Sequence, residues 1–123
     1  MLLTVVNSAC AVHITRAAEG DIEAAIDYLL SQFADEAAAD LWQAFEEAFA
    51  SLAKLPLRGH FPPEMQEHPD KKIREIHAGP YRLIYRVLEK DVYVLCVADS
   101  RRDIQKTLLE RALNFGILGV GCR

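Results

Sequence analysis

The chain has 123 residues, a length that corresponds to one domain. Hydrophobic residues make up 51% of it and charged residues 26%, which is ordinary for a globular protein and excludes a disordered or fibrous chain. The net charge of −4 disfavours tight binding to nucleic acid, since such binding needs clustered lysine and arginine. The charge is uneven, because residues 1–50 carry nine acids and one base (−8) whereas residues 51–123 carry thirteen bases and nine acids (+4). The second half of the chain could therefore still present a local basic face.

The cysteines and histidines do not form a disulfide or metal-binding pattern. Cys10, Cys96 and Cys122 are an odd number without a C-x-x-C pair, and the four histidines show no ligand spacing, so we expect no metal and no cofactor. No run of about 18 apolar residues occurs, so no membrane span is expected. The apolar start at residues 1–6 lacks the basic residues of a secretory signal. These features predict a cytoplasmic protein.

The first half of the chain predicts one strand and two helices. Residues 11–14 form a β-type run that ends at Thr15, a residue suited to begin a helix. Two stripes of apolar residues at helical spacing follow. The first stripe consists of Ile22, Ala25, Ile26, Leu29 and Phe33; the second, behind Asp35 as the expected cap, consists of Ala38, Leu41, Trp42, Phe45, Ala48, Phe49 and Leu52. Because few residues separate them and Pro56 ends the second, we predict an antiparallel helical hairpin with both stripes in the core.

The second half predicts three strands, at residues 72–77, 81–88 and 92–98. The turns between them are so short that only antiparallel pairing fits, which gives a three-stranded meander. In the middle strand Arg82 and Arg86 share one face, and the alternate residues share the other. We expect the second of these faces to pack on the helices while the arginine face is presented to solvent.

A last helix is predicted after the meander. Ser100 and Asp103 resemble a capping box, and an apolar stripe follows at Ile104, Leu108, Ala112 and Phe115. The predicted fold class is α+β: an N-terminal strand, a two-helix antiparallel hairpin, a three-stranded antiparallel meander and a C-terminal helix, with the helices on one face of the sheet. We predict a single domain over residues 1–123, with its core in residues 11–115 and flexible extensions at residues 1–10 and 116–123.

Several segments resemble the RelE/ParE superfamily of bacterial toxins. The stretch REIHAGPYRLIYRV at residues 74–87 is similar to the core signature of that family, and the resemblance continues through residues 92–97, 99–103 and 108–111. The segment LPLRGHFPPE at residues 55–64 is similar to the linker of a branch called plasmid stabilisation proteins. The order and spacing of these pieces, together with the helical hairpin, extend the resemblance over roughly residues 11–115.

The resemblance implies the same α+β fold and a function. It implies the toxin component of a type II toxin–antitoxin system, neutralised by a cognate antitoxin protein. RelE-like members cleave messenger RNA in the ribosome, ParE-like members poison DNA gyrase, and some members are inactive. We expect a ParE-like inhibitor of an essential process such as gyrase action. The alternatives are a ribosome-dependent, metal-independent endoribonuclease and an inactive member that only binds its antitoxin, so whether the chain is an enzyme is left open.

The resemblance also implies candidate catalytic residues for the RNA-cleaving alternative. That branch places basic groups around the scissile phosphate, and the matching positions here are Lys72, Arg74, Arg82 and Arg102. Where RNA-cleaving members carry a tyrosine in the last helix, this chain has Leu108. That departure and the excess of acids favour the ParE-like interpretation.

A wider set of residues is predicted to bind the target or the antitoxin: Arg74, His77, Arg82, Arg86, Arg101 and Arg102. Each has a structural alternative. Arg82 and Arg86 are equally suited to pair with acids such as Glu75 across strands. His77 fits a hydrogen-bonded turn. The paired arginines after Ser100 are expected to begin the last helix, where positive charge opposes the helix dipole and a bound anion or acidic partner would explain it.

Overall fold

The computed structural model describes residues 3–6, 10–68 and 71–114. Its elements in chain order are β1 (Leu3–Val6), β2 (Ala11–Ile14), α1 (Arg16–Ser31), α2 (Asp35–Lys54), a single 3₁₀ turn (Pro63–Met65), β3 (Ile73–Ala78), β4 (Tyr81–Leu88), β5 (Asp91–Asp99) and α3 (Gln105–Asn114). The predicted α+β order of strand, helical hairpin, meander and helix is confirmed.

The strands form one five-stranded sheet in the order β1-β2-β5-β4-β3. The meander β3-β4-β5 is antiparallel, as predicted, and β2 pairs in parallel with the beginning of β5, opposite residues 91–94. β1 lies antiparallel to β2 at the sheet edge. The expected flexible extension over residues 1–10 therefore differs from the structure at Leu3–Val6, a β-type run that pairs with β2. Residues 1, 2, 7–9 and 116–123 of the expected extensions lie outside the described residues.

The hairpin of α1 and α2 covers the first face of the sheet. Thr15 caps α1 as predicted, because its Oγ1 accepts the N–H of Ala18 (3.3 Å) and donates to the carbonyl of Val94 (2.7 Å), which ties the helix start to β5. The core on this face contains the fully buried Phe45 and Tyr85. Within the described ranges, no helix is both long and apolar enough to cross a membrane.

The second face of the sheet is also covered, and this corrects the expectation that the helices lie on one face. Ile104, just before α3, and Leu108, in its first turn, pack with Ile84, Leu95 and Cys96 in a separate buried cluster. An irregularity in the pairing of β4 with β5 enlarges this cluster: Ile84 lies opposite Cys96 but Tyr85 lies opposite Val94, so Leu95 is an extra residue. Two successive apolar residues of β5 then belong to the second face, which needs cover from α3 and the 3₁₀ turn.

Four smaller expectations about the helices are wrong. Phe33 lies beyond the end of α1 with 94% of its surface exposed, and Trp42 is 40% exposed, whereas both were placed in the core. The cap position of α2 is Ala34, which makes no side-chain hydrogen bond, so Asp35 is the first helical residue instead of the cap. Ser100 lies in a turn that precedes α3 by several residues, so it does not cap that helix.

Candidate functional site

Arg82 occupies the centre of a buried ionic cluster on the second face of the sheet. Its Nε and Nη2 donate to Glu75 of β3 (3.2 and 2.7 Å), and its Nη1 and Nη2 donate to Glu64 of the 3₁₀ turn (2.8 and 2.6 Å). Arg82 and Glu75 are 6% and 3% exposed. The hydrogen bond from Arg82 lowers the pKa of Glu64, and the two carboxylates raise the pKa of Arg82. The cluster therefore holds Arg82 and Glu75 out of water, with the partly buried carboxylate of Glu64 at its margin.

Two half-exposed histidines border this cluster. The Nε2 atoms of His60 and His77 lie 3.6 and 3.5 Å from the same Oε2 of Glu75, and the ring centres are 6.0 Å apart. His60 reaches this position because its backbone pairs with that of Glu75 along the free edge of β3 (3.1 and 2.7 Å). The structure thus brings two of the predicted residues, His77 and Arg82, to one place.

Arg74 lies on the other face of the sheet. It pairs in register with Tyr85, whereas Arg82 pairs with His77, and directly opposed residues share a face. Its Nη1 donates to the carbonyls of Leu57 (3.3 Å) and Gly59 (2.7 Å). The guanidinium therefore supports the loop that precedes the 3₁₀ turn, and the same loop is fixed by a hydrogen bond from the N–H of Gly59 to the buried Tyr85 hydroxyl (3.0 Å). Burial raises the pKa of that hydroxyl.

The remaining basic candidates on the meander are Lys72 and Arg86. Lys72 is exposed in the turn before β3, where its carbonyl accepts the N–H of Val87 (3.0 Å). Arg86 is half-buried on the same face as Arg82, opposite Ile73. The four residues matched to RNA-cleaving members therefore do not share one sheet face, since Arg74 and Arg82 lie on opposite faces.

Arg101 and Arg102 lie in the turn after β5 and not in the first turn of α3. The helix begins at Gln105, whose N–H is accepted by Asp103 Oδ1 (3.1 Å). The two arginines therefore do not oppose the dipole of α3, contrary to the prediction that they begin this helix. Arg101 pairs with Asp99 (3.1 and 3.2 Å) and lowers the pKa of that carboxylate, while the side chain of Arg102 is exposed and makes no hydrogen bond to any described residue.

These two arginines stand at the rim of a groove between the helical hairpin and the ends of β4 and β5. Two adjoining cavities of about 430 Å³ each share Tyr28, Tyr81 and Asp99 in their walls. The first is lined mainly by apolar side chains of α1 and α2 and reaches Arg101; the second follows β5 and reaches Arg102. This groove was not predicted from the sequence. Its one signal was Tyr28, an aromatic residue outside the apolar stripe of α1.

The chain matches the family described as "ParE toxin of type II toxin-antitoxin system, parDE" over residues 12–104, about three quarters of its length. The chain belongs to the ParE toxin family. Among solved structures it is similar to one titled "Chromosomal ParDE TA system from P. aeruginosa", with a TM-score of 0.60 and 22% identity over 76% of this chain and 98% of that one. At this identity the likeness shows the fold. No curated protein matches the chain.

The ParE family match ends at Ile104, so α3 follows it directly. Leu108 of α3, which stands where the resemblance places a tyrosine in RNA-cleaving relatives, is fully buried in the second core. Among the described residues, no group of three or more histidine, cysteine or acidic side chains is arranged to hold a metal ion.

Proposed function

We propose that this ParE-family toxin inhibits an essential process such as DNA gyrase action by binding a protein, and that a cognate antitoxin neutralises it. The observation that carries the proposal is the state of Arg82. The guanidinium that RNA cleavage would direct at a phosphate is buried and already donates four hydrogen bonds to two carboxylates.

The chemistry of RNA cleavage argues in the same direction. Stabilising a phosphorane-like transition state needs several donors that converge on one point. Arg74 and Arg82 lie on opposite faces of the sheet, and Leu108 supplies no proton-carrying group. The net charge of −4 also opposes docking into a site built of RNA.

For the antitoxin we propose the groove between the helical hairpin and the sheet. Its walls are mostly apolar and include Tyr28, Leu41 and Tyr81, while Arg101 and Arg102 stand exposed at its rim. This composition suits an apolar peptide segment with acidic residues, because the apolar residues fill the groove and the carboxylates pair with the arginines.

Tightly controlled expression in a bacterium tests the target. DNA and protein synthesis are labelled separately after induction of the wild type, Lys72→Ala and Arg102→Ala, with Lys106→Ala as an exposed-lysine control. We expect DNA synthesis to fail first, and Lys72→Ala to be as toxic as the wild type. Purified toxin should also convert supercoiled plasmid to cleaved plasmid in the presence of gyrase.

The alternatives give different results. If protein synthesis stops first and Lys72→Ala relieves the arrest, the toxin is a ribosome-dependent endoribonuclease and the proposal is wrong. If growth is unaffected, the chain is an inactive member that only binds its antitoxin. Variants of Arg82 are unsuitable here, because a loss of toxicity could follow from unfolding alone.

A further inference from the structure

The loop between α1 and α2 has a backbone that favours glycine but carries a phenylalanine. The N–H of Phe33 donates to the carbonyl of Leu30 (3.0 Å) and the N–H of Ala34 to that of Leu29 (3.0 Å). This is the Schellman arrangement, in which the residue after the helix cap adopts a left-handed conformation. Phe33 is that residue, with φ of +56°. A side chain there crowds the following carbonyl, so glycine is the usual occupant.

Packing does not explain the phenylalanine either. Phe33 is 94% exposed, and the last turn of α1 adds Tyr28 and Leu30 at 62% and 45% exposure. Single exposed apolar residues are common on protein surfaces. An aromatic ring that is almost wholly in water and also imposes backbone strain is uncommon, and such a combination points to a role in binding.

The charge around this loop indicates what it could bind. Residues 16–54 carry nine acids and only two bases, Arg16 and Lys54. These bases begin α1 and end α2, so in the antiparallel hairpin both lie at the far end from Phe33. Asp35 and Glu36 follow the loop directly and are exposed. The loop therefore presents apolar groups within a negative field, which repels nucleic acid and attracts a basic surface.

We propose that Phe33, with Leu30, forms a contact surface that inserts into an apolar socket rimmed by lysine and arginine on the toxin's protein target. We call these two residues the hairpin tip. The inference rests on the proposed function, since it takes the target to be a protein. An aromatic residue that fills a desolvated socket contributes much of the binding energy in many interfaces, and surrounding charges guide its approach.

The test compares two glycine variants, with purified DNA gyrase as the probe. Phe33→Gly removes the ring and relieves the strained backbone. Glu89→Gly is the matched control, because Glu89 is the other described non-glycine residue with positive φ (+56°), and it is exposed in the turn between β4 and β5. Both variants should raise the melting temperature by roughly 2–5 °C. Only Phe33→Gly should weaken gyrase binding, by at least about tenfold.

Gyrase binding by Phe33→Gly that equals the wild type overturns the inference. If the wild-type toxin arrests growth without binding gyrase, the gyrase part of the proposed function fails, and growth then decides the role of the tip. A harmless but stably folded Phe33→Gly supports the hairpin tip against another target, whereas a fully toxic one overturns it. A wild type that leaves growth unaffected overturns both proposals. A wild-type dimer that Phe33→Gly dissociates, seen by light scattering, would assign the ring to a contact between copies and also overturn the inference.

Discussion

Arg82 holds together two carboxylates that would otherwise be buried without a cation. We expect Arg82→Met, which preserves much of the side-chain volume, to lower the free energy of unfolding by about 3–5 kcal/mol at pH 7. The reason is that Glu75 and Glu64 would lose four hydrogen bonds and the arginine that pairs with both of them. Urea unfolding followed by circular dichroism measures the loss. Lys106→Met, at an exposed cation of α3, should change stability by less than about 0.5 kcal/mol.

The pH dependence of stability in the wild type and in Arg82→Met tests the same ionic cluster. Arg82 keeps the pKa of Glu64 below its ordinary value of 4.5, so the stabilisation from this group is complete above about pH 4.5 and is lost as the pH falls through the lower, folded-state pKa. In Arg82→Met the carboxylate of Glu64 lacks that cation and gains a proton more readily. The stability difference between wild type and variant should therefore be largest near pH 7 and shrink at pH 3.5. A difference that stays constant between these pH values contradicts the ionic account of the cluster.

Position 59 requires glycine, because the loop that precedes the 3₁₀ turn approaches the edge of β3 closely there. A Cβ atom at this position would lie 2.5 Å from the Tyr85 hydroxyl and 2.6 Å from the carbonyl oxygen of Glu75, which belongs to the backbone and cannot turn aside. We expect Gly59→Ala to destabilise the fold by about 1–3 kcal/mol. Gly20→Ala is the control, because a Cβ on that helical residue meets nothing within 4 Å and should stabilise α1 by about 0.5–1 kcal/mol. Equal effects of the two changes on urea unfolding would refute this account.

Among the elements, the end of β5 depends on an ion pair in place of a neighbouring strand. Beyond Val94, the described part of the chain places no strand on the β2 side of β5. Asp21 of α1 accepts the N–H of Val97 (2.9 Å), and Arg111 of α3 donates to the carbonyl of Leu95 (3.1 Å). The two side chains also pair with each other at 2.6 Å. Backbone groups that a strand would satisfy are thus bonded by side chains from both faces of the sheet.

This arrangement predicts that α3 is held largely through Asp21. Asp21→Ala should speed amide hydrogen exchange at Val97 by at least about tenfold, since the opening free energy falls by about 1–3 kcal/mol. Exchange in α3 should increase as well, because Arg111 loses its partner. Asp27→Ala on the exposed side of the same helix is the control. Unchanged protection at Val97 would show that the edge is stabilised by other contacts.

The elements also show what could be predicted from the sequence. Periodicity and short turns were sufficient for the helical hairpin, the Thr15 cap and the meander, because these follow from residues close in sequence. The buried cluster on the second face includes the extra residue Leu95, which alternation alone does not reveal. The partners of Arg82 come from seven and eighteen residues away, so its burial was not visible in its own strand. Phe33 fitted the helical spacing, but α1 ends before it.

The two halves of the chain carry net charges of opposite sign. Residues 1–50 carry a net charge of −8, and residues 51–123 carry +4. The helices α1 and α2 carry nine acids, most of them exposed, while the exposed arginines Arg101 and Arg102 stand beside the groove. One side is therefore suited to a basic partner and the other to an acidic one. This separation would let the hairpin tip and the groove serve different proteins, the target and the antitoxin.

This uneven charge predicts that different residues control the association rate and the dissociation rate of target binding. Asp35→Lys combined with Glu36→Lys reverses exposed charge beside the hairpin tip, so it should lower the association rate by about tenfold at 0.1 M salt and leave the dissociation rate nearly unchanged. At 1 M salt the difference should nearly vanish, because the screening length falls to about 3 Å. Phe33→Gly should instead raise the dissociation rate, since it removes the ring that fills the socket in the complex and changes no charge. Surface plasmon resonance with immobilised gyrase separates the two rates. If the charge reversal acted mainly on dissociation, the acids would touch the target directly, and attraction over a distance would not explain their placement.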